Sequence, residues 1–512
     1  MRWKRKGMVY MKINFNNYFR YYAKSNKRFI ILICLILFLV LPFLMLRTLM
    51  GIYIVPDEAY QTSIFSISAA SAIAGCGLSF IMPIFNYRYL YKKSSNELYF
   101  SLPIKKEKLF IYTFLSGLIM VLIPLAIYYF LCYGYCVLIF PGVRLYHKFI
   151  PLLFFLALCI LLTVQYTIFS FLSVKCNNLL DSILINGSYV VMPFIIFIAG
   201  GIFFQKQIDL ILGNISGGIS EFIPIEPLCK IVSLPYVIMM VCGDLFSHIQ
   251  GYMTENAFLM NDIVYILYWI IIGIVCFWFG RKAFIDRKPE EAQERTKTIF
   301  GYPVVITVVT FCLLLVMMNG ADDFVIPSVM IIMLYFCMIF FSNRKIKVKG
   351  IHILIFVILY AGTFGFGQVY ARTNGFGMVK EFINPSTIQR VNIEVSFAIF
   401  DDSIDYSSYS FTLKDHKNVS SFNLDTGKTN EINYLMESQK EISKRKENEY
   451  LSDCYNINYY FTTKDGEQRY RSYTLKITEE NREFLNKLLQ EVSGYSNFTY
   501  SITQEEEYSE SY

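Results

Sequence analysis

Runs of roughly twenty consecutive apolar residues constrain this chain more than any other feature. Phe29–Leu46 reads FIILICLILFLVLPFLML, without one charged side chain. A bilayer's hydrocarbon, about 30 Å thick, offers no partner to a backbone N–H or C=O, so such a run must close its hydrogen bonds within itself as a helix. Nine spans are predicted: Phe29–Leu46, Ser63–Phe85, Phe110–Leu131, Phe149–Leu172, Ile183–Phe204, Ile263–Phe279, Val304–Met318, Phe324–Phe341 and Ile351–Val369. The seventh is the shortest. Only 17% of the residues are charged, against about 25% in soluble proteins. The expected fold class is a polytopic α-helical membrane protein of about nine transmembrane helices.

Lysine and arginine collect in the N-terminus, in 86–109, in 281–297 (RKAFIDRKPEEAQERTK) and in 344–349 (RKIKVK). The segments 47–62, 205–261 and 319–323 are poor in them. The positive-inside rule then places the N-terminus in the cytoplasm and the tail after Val369 outside; the expected location is the plasma membrane. The net charge of +7 carries no nucleic-acid meaning, because the basic residues lie between apolar runs. Ile231–Phe246 is apolar but short and contains Pro235; as a span it would invert the two later basic segments, so a re-entrant or interfacial helix is predicted. The basic start and the full-length run after it read as a retained anchor, with Met8 or Met11 as alternative initiators. Met11, Phe15, Tyr18, Phe19 and Tyr22 fall at helical spacing among Arg20, Lys24, Lys27 and Arg28, which predicts an amphipathic helix on the inner surface. An ordinary basic flank is the plainer alternative.

Reactive constellations are not evident. Cys34, Cys76, Cys159, Cys276, Cys312 and Cys337 lie within predicted spans, where cysteine behaves as a small hydrophobe. His147, His248, His352 and His416 have no metal-ligand spacing. The spans hold almost no charge; Gln165 and Asn186 are among their few strongly polar residues. Buried charges mark ion pathways, so their scarcity argues against an ion-coupled carrier. Ser63, Ser66, Ala70, Ala74 and Gly77 form a small-residue face, suited to close helix packing or to lining a cavity. No cofactor and no nucleic-acid partner are expected, and membrane lipids are.

One loop carries the functional argument. Asn86 to Phe110 reads NYRYLYKKSSNELYFSLPIKKEKLF. Ser94 and Glu97 have capping-box spacing, which predicts a short helix starting there. Leu98 and Leu102 would share one face, and Pro103 would end or bend the helix. Lys105, Lys106 and Lys108 are expected at the lipid boundary. An exposed apolar knob of this kind fits a partner's groove; a self-packed connector is the alternative.

A surface helix, two spans, a loop of the form ELYFSLPIKKEKLF and a span with Gly117 and Pro124 (SGLIMVLIP) together resemble the permease subunits of ABC-2-type ABC transporters, in the long Gram-positive form. The resemblance covers about residues 11–290. It implies that the loop after the second span docks into a separate cytoplasmic ATP-binding subunit, with Glu97, Leu98, Tyr99, Ser101, Leu102, Pro103 and Ile104 as the contact. It also implies a second permease chain, identical or related, and external helices within 205–261. The last three spans and the tail depart from the family's six-span core.

Thr426-Gly427-Lys428-Thr429 imitates the end of a P-loop, but Phe422 stands where the motif needs glycine. Any motor is therefore a separate chain, and the protein itself is expected not to be an enzyme. From about Arg372 the tail can fold alone as an α+β extracytoplasmic domain. Val391, Ile393, Val395, Phe397 and Ile399 alternate as a strand does, and so do Tyr455, Ile457, Tyr459 and Phe461. A turn at Asp465-Gly466 leads to Arg469, Arg471, Tyr473, Leu475 and Ile477, completing a hairpin, with Arg469, Arg471 and Tyr473 on a solvated face. Thr478 caps a last helix carrying Phe484, Leu485, Leu488, Leu489 and Val492; Ile432, Leu435, Met436 and Ile442 mark another. Asp401-Asp402 reads as a solvated turn and the acidic end as disordered. The expected domains are 1–28 with the surface helix, 29–280 as the six-span core, 281–303 as a basic loop, 304–369 as three further spans and 370–512 as the outer domain. A membrane-anchored sensor or accessory protein with an outer ligand-binding domain remains the alternative.

Overall fold

A computed structural model describes residues 14–28, 56–101, 104–140, 145–212, 225–250, 262–296, 298–318, 325–344, 348–377, 382–398, 410–412, 418–445, 454–464, 468–495 and 497–502, with a few isolated positions between them. Phe29–Leu46 lies almost wholly outside the described residues, as do Met11, Ile399 and Asp401-Asp402. Among the described residues seven helices are long and apolar enough to cross a membrane: Ala59–Asn86, Lys106–Ile139, His147–Lys175, Leu179–Ile208, Ile263–Asp286, Ile326–Asn343 and Gly350–Arg372. They coincide with the second to sixth, eighth and ninth predicted spans. The seventh forms a helix at Tyr302–Met317, 16 residues long and so about 24 Å.

Contacts divide the chain into two compact units: Met1–Phe197 with Glu226–Thr310 and Leu334–Val348, and Ile198–Ile225 with Phe311–Met333 and Lys349–Tyr512.

In the first unit α1 (Phe15–Ser25) turns Tyr18 inward and leaves Arg20, Tyr21 and Lys24 exposed. It packs on α4 (Lys106–Ile139), where the Tyr18 hydroxyl meets Thr113 Oγ1 at 2.9 Å. The amphipathic reading holds, and the apolar face meets protein. The bundle is built by α2 (Pro56–Asn86), α4 and α5 (Leu145–Lys175), with α6 (Leu179–Leu212) beginning soon after. Pro151 inside α5 cannot donate to the carbonyl of His147, one turn back. The Tyr60 hydroxyl supplies that bond at 3.2 Å. Gly117 of α4 lies against a buried polar knot: Asn86 Nδ2 donates to Thr113 O at 2.7 Å and to Tyr166 Oη at 2.9 Å. A Cβ at Gly117 would come within 2.2 Å of Tyr166 Oη, so only glycine fits. On α2 the close approach is made by Gly75, against Leu162, and the buried serines are Ser63, Ser68, Ser71 and Ser79. The expected face is thus displaced: Ser66, Ala70, Ala74 and Gly77 are half-buried, and Gly77 meets nothing within 4 Å.

The predicted re-entrant segment is two helices, α7 (Ile225–Val232) and α8 (Leu234–Gln250), broken at Ser233 just before Pro235. Val237, Ile238, Val241 and Leu245 of α8 join the bundle core. α7 is fastened to the start of α9 (Ile263–Asp286). Lys230 Nζ pairs with Glu226 and Asp262, each at 2.7 Å, and Trp269 Nε1 donates to the Lys230 carbonyl at 2.8 Å. Burial opposes the Lys230 charge, yet the two carboxylates outweigh it and hold the ammonium above its ordinary pKa. Next come α10 (Tyr302–Met317) and α11 (Val325–Asn343), each shared between the two units.

The second unit joins ends of these helices to α12 (Gly350–Arg372) and the tail. Phe203, Leu315 and Tyr370 make a small apolar cluster. The turn after α12 has four successive left-handed residues, Asn374, Gly375, Phe376 and Gly377. The tail is a six-stranded antiparallel sheet of β1 (Ile388–Ala398), β2 (Phe411–Thr412), β3 (Asn418–Thr426), β4 (Cys454–Thr463), β5 (Gln468–Lys476) and β6 (Phe498–Ile502). The order is β2-β3-β1-β4-β5, and β6 also pairs with β3. α13 (Thr429–Arg445) and α14 (Glu479–Val492) bury Ile432, Leu435, Leu485 and Leu489 with Val391, Ile393, Tyr459 and Leu475 in one core. Thr478 caps α14 by accepting from Asn481 N. The predicted solvated strand face is corrected: Arg471 and Tyr473 are 1% exposed, and the Tyr473 hydroxyl accepts from Gln439 Nε2 at 2.8 Å. They lie in register with Tyr459 and Ile457, on the core side of the sheet.

Candidate functional site: a braced helix between the second and third predicted spans

After α2 the chain dives inward rather than looping out. Tyr87, Leu90 and Tyr91 are buried around a 3-10 turn at Arg88–Tyr91. The Tyr91 hydroxyl bonds to Ser182 Oγ at 2.8 Å and to the Ser173 carbonyl at 3.2 Å, and burial raises its pKa. α3 (Lys93–Phe100) follows. Its N-cap is Lys92, two residues before the expected Ser94, with no side-chain capping bond, so the Ser94–Glu97 box is not formed. The buried turn just before it fixes where the helix can begin, and Asn96 N already reaches the Lys92 carbonyl at 2.9 Å.

α3 has a braced side and a free side. Tyr99 stacks on Tyr89 with centroids 4.1 Å apart, and Phe100 meets Phe284 edge-on at 5.7 Å. Asn96 is fully buried and Ile104 packs on the same aromatic cluster. Glu97, Leu98 and Ser101 face outward, with Leu98 65% exposed. Of the seven residues expected to touch a partner, these three are presented, Tyr99 and Ile104 are half-buried, and Leu102 and Pro103 lie outside the described residues.

Two cations hold this element to the end of α9. Lys106 Nζ donates to the Ile285 and Arg287 carbonyls at 3.1 and 3.0 Å. A cation suits orphan carbonyls at a helix C-terminus. Lys106 also lies 4.6 Å over the Phe100 ring, so it serves the protein interior rather than the expected lipid boundary. Arg287 is 4% exposed and donates to the carbonyls of Val174, of Cys176 at 2.9 Å and of Leu90 at 3.2 Å. Burial lowers its pKa, but from a value so high that the guanidinium stays charged.

A third tie lies at the start of α6. Asp181, 2% exposed, accepts from Asn178 Nδ2, Thr296 Oγ1 and Tyr302 Oη, each at 2.8 Å, and from Arg344 at 3.1 Å. Sequence reasoning missed both Asp181 and Arg287. Asn178 with Asp181 three residues on has the spacing of a helix-start pair, a signal that was present; nothing marked Arg287 among its basic neighbours. Through these bonds the loop at 86–101, the segment 281–297 and Arg344 meet at one end of the first unit.

The P-loop imitation is a strand-to-helix turn. Thr426 closes β3 and donates to Glu431 in the first turn of α13, and Lys428 Nζ reaches the same carboxylate at 3.1 Å. No known family model, curated protein or solved structure matches the chain. The functional reading therefore rests on the site's own geometry and on the sequence resemblance.

Proposed function

We propose that the chain is the permease subunit of an ABC-2-type transporter, moving a substrate across the plasma membrane under the drive of a separate cytoplasmic ATP-binding subunit. The observation that carries this reading is α3. It is a short helix braced along one side by Tyr99 and Phe100, with an exposed leucine on the other. A helix that transmits a push must be stiffly joined to the spans and must offer the motor a grip. Lys106 and Arg287 supply the junction, and Leu98 with Glu97 and Ser101 supplies the grip. Two such chains would form the pathway between them. On this reading the described helices are joined by Phe29–Leu46 and α10, making nine spans, with the N-terminus inside and the tail outside.

The test is co-purification with the candidate ATPase. Leu98→Asp removes an apolar anchor and adds a charge, at a cost of about 2 kcal/mol or more, so binding should fall at least about thirtyfold and ATPase stimulation with it. Leu98→Met should keep both. A complex that survives Leu98→Asp unchanged sinks the assignment.

The sensor reading is favoured by one observation. The sheet face opposite α13 and α14 bears Glu394, Asn458, Tyr460 and Ser472 in adjacent registers, not covered by a helix among the described residues. A chain that acted only as a sensor would recruit no ATPase, so the same experiment separates the two.

A further inference from the structure

We propose that the cleft between the 86–101 loop, the start of α6 and the end of α11 binds the headgroup of an anionic phospholipid. The cleft has a volume of about 1080 Å³ and lies wholly within the first unit. Its charge is lopsided. Arg88, Lys92 and Arg344 line it, against the single carboxylate of Asp181. The Asp181 oxygens are already taken by Thr296, Tyr302 and Asn178 as well as Arg344. Arg344 spends one nitrogen there and its side chain stays 52% exposed. Lys92 is exposed and has no ion-pair partner among the described residues; Arg88 donates only to the neutral Asn26 amide, at 3.3 Å.

The cleft also has an apolar wall. Leu180 and Ile183 of α6 are 64% and 46% exposed and Phe341 of α11 is 63% exposed, all at the ends of helices apolar enough to span a membrane. A soluble anion would satisfy the cations and leave that wall in water. A phospholipid satisfies both, and basic pockets between spans take anionic headgroups for this reason. The backbone gives an independent sign. Of the four non-glycine residues with left-handed φ among the described residues, Gln293 (φ 69°) and Arg344 (φ 51°) both line this cleft. Such conformations persist where the surroundings over-determine them, and they collect at ligand clamps. The inference needs only that the bundle sits in a membrane; it does not depend on transport.

The full chain, purified in a neutral detergent, is titrated with phosphatidylglycerol and separately with phosphatidylcholine, and the bound lipid is read by native mass spectrometry. Phosphatidylglycerol should be retained preferentially. Arg88→Gln and Lys92→Gln should each weaken its binding about fivefold and leave phosphatidylcholine unchanged. Both side chains are exposed, so the fold is not at stake in either variant. Equal retention of the two lipids, or unaltered phosphatidylglycerol binding in the double variant, overturns the proposal. Displacement of the lipid by inorganic phosphate would assign the site to a free anion and also overturn it. As an arm that needs no variant, phosphatidylglycerol with a photoreactive acyl chain should label residues 179–184 or 341–344; labelling confined elsewhere is a contrary result.

Discussion

At the scale of single residues, the polar knot at Gly117 shows how a membrane bundle spends its few polar side chains. Asn86 Nδ2 donates to Thr113 O and Tyr166 Oη, Tyr166 Oη donates to Phe114 O, and the knot ties α2, α4 and α5 at one point. The missing side chain at Gly117 is what admits them. Gly117→Ala would put a methyl 2.2 Å from Tyr166 Oη and 2.5 Å from Asn86 Nδ2. Neither atom can retreat without leaving a buried polar group unpaired, so the variant should lose about 1–3 kcal/mol. Thermal unfolding of the purified chain in detergent should show a lower midpoint, whereas Gly77→Ala, with nothing within 4 Å, should hold or raise it. Equal midpoints for the two variants would remove the packing argument. Arg287 works by the same economy. Its guanidinium serves carbonyls from two separate turns, where no single backbone partner could reach.

At the scale of elements, what was legible followed from periodicity. The alternation at Val391–Val395 and Tyr455–Phe461 is the core face of β1 and β4, and the spacing of Leu485, Leu488, Leu489 and Val492 is the buried stripe of α14. Apolar length alone located the seven described helices long and apolar enough to cross a membrane. What escaped was whatever depends on partners distant in sequence. The start of α3 is set by the buried Tyr91, which packs into the ends of α5 and α6 far along the chain, and not by Ser94. Arg471 looked solvated because an arginine in a strand usually is, but its register with Tyr459 turns it inward. Strand β2 is only two residues long, β3 breaks its alternation at Ser420-Ser421, and β6 alternates but over only five residues. The turn at 426–429 yields a prediction. The Thr426 hydroxyl and then Lys428 hold the Glu431 carboxyl below its ordinary pKa. A depressed carboxylate stabilises fully above its unfolded value, near 4.3, and that contribution fades as the pH falls through the folded value. Glu431→Gln should therefore cost roughly 1 kcal/mol at neutral pH and progressively less below about pH 4. Unfolding midpoints of both forms across that range measure it; a gap that widens on acidification contradicts the assignment.

At the scale of the whole molecule, hydrogen bonds provide an argument about crossings that apolar counting alone cannot. Lys106 at the start of α4 bonds to carbonyls at the end of α9, so those two ends share one side of the first unit. Four long helices, α4, α5, α6 and α9, separate them, an even number, while α8 belongs to the bundle core. Tyr302 and Arg344 meet on Asp181, so the start of α10 and the end of α11 also share that side, and the two helices run out and back. On the proposed topology the 16-residue α10 would cross as the partner of α11 despite its length. The basic residues of 86–109, 281–297 and 344–349 all collect at this end, which the positive-inside rule assigns to the cytoplasm. On the proposed topology α12 would be the last crossing and the tail would lie outside. In intact cells, a membrane-impermeant thiol reagent should label a cysteine placed at the exposed Lys440 of α13 and spare one at the exposed Ser94 of α3, both in a background without the native cysteines. Labelling at Ser94 with protection at Lys440 would invert the orientation and take the ATP-binding subunit away from α3. Labelling at both positions would mean that one of the counted helices does not cross.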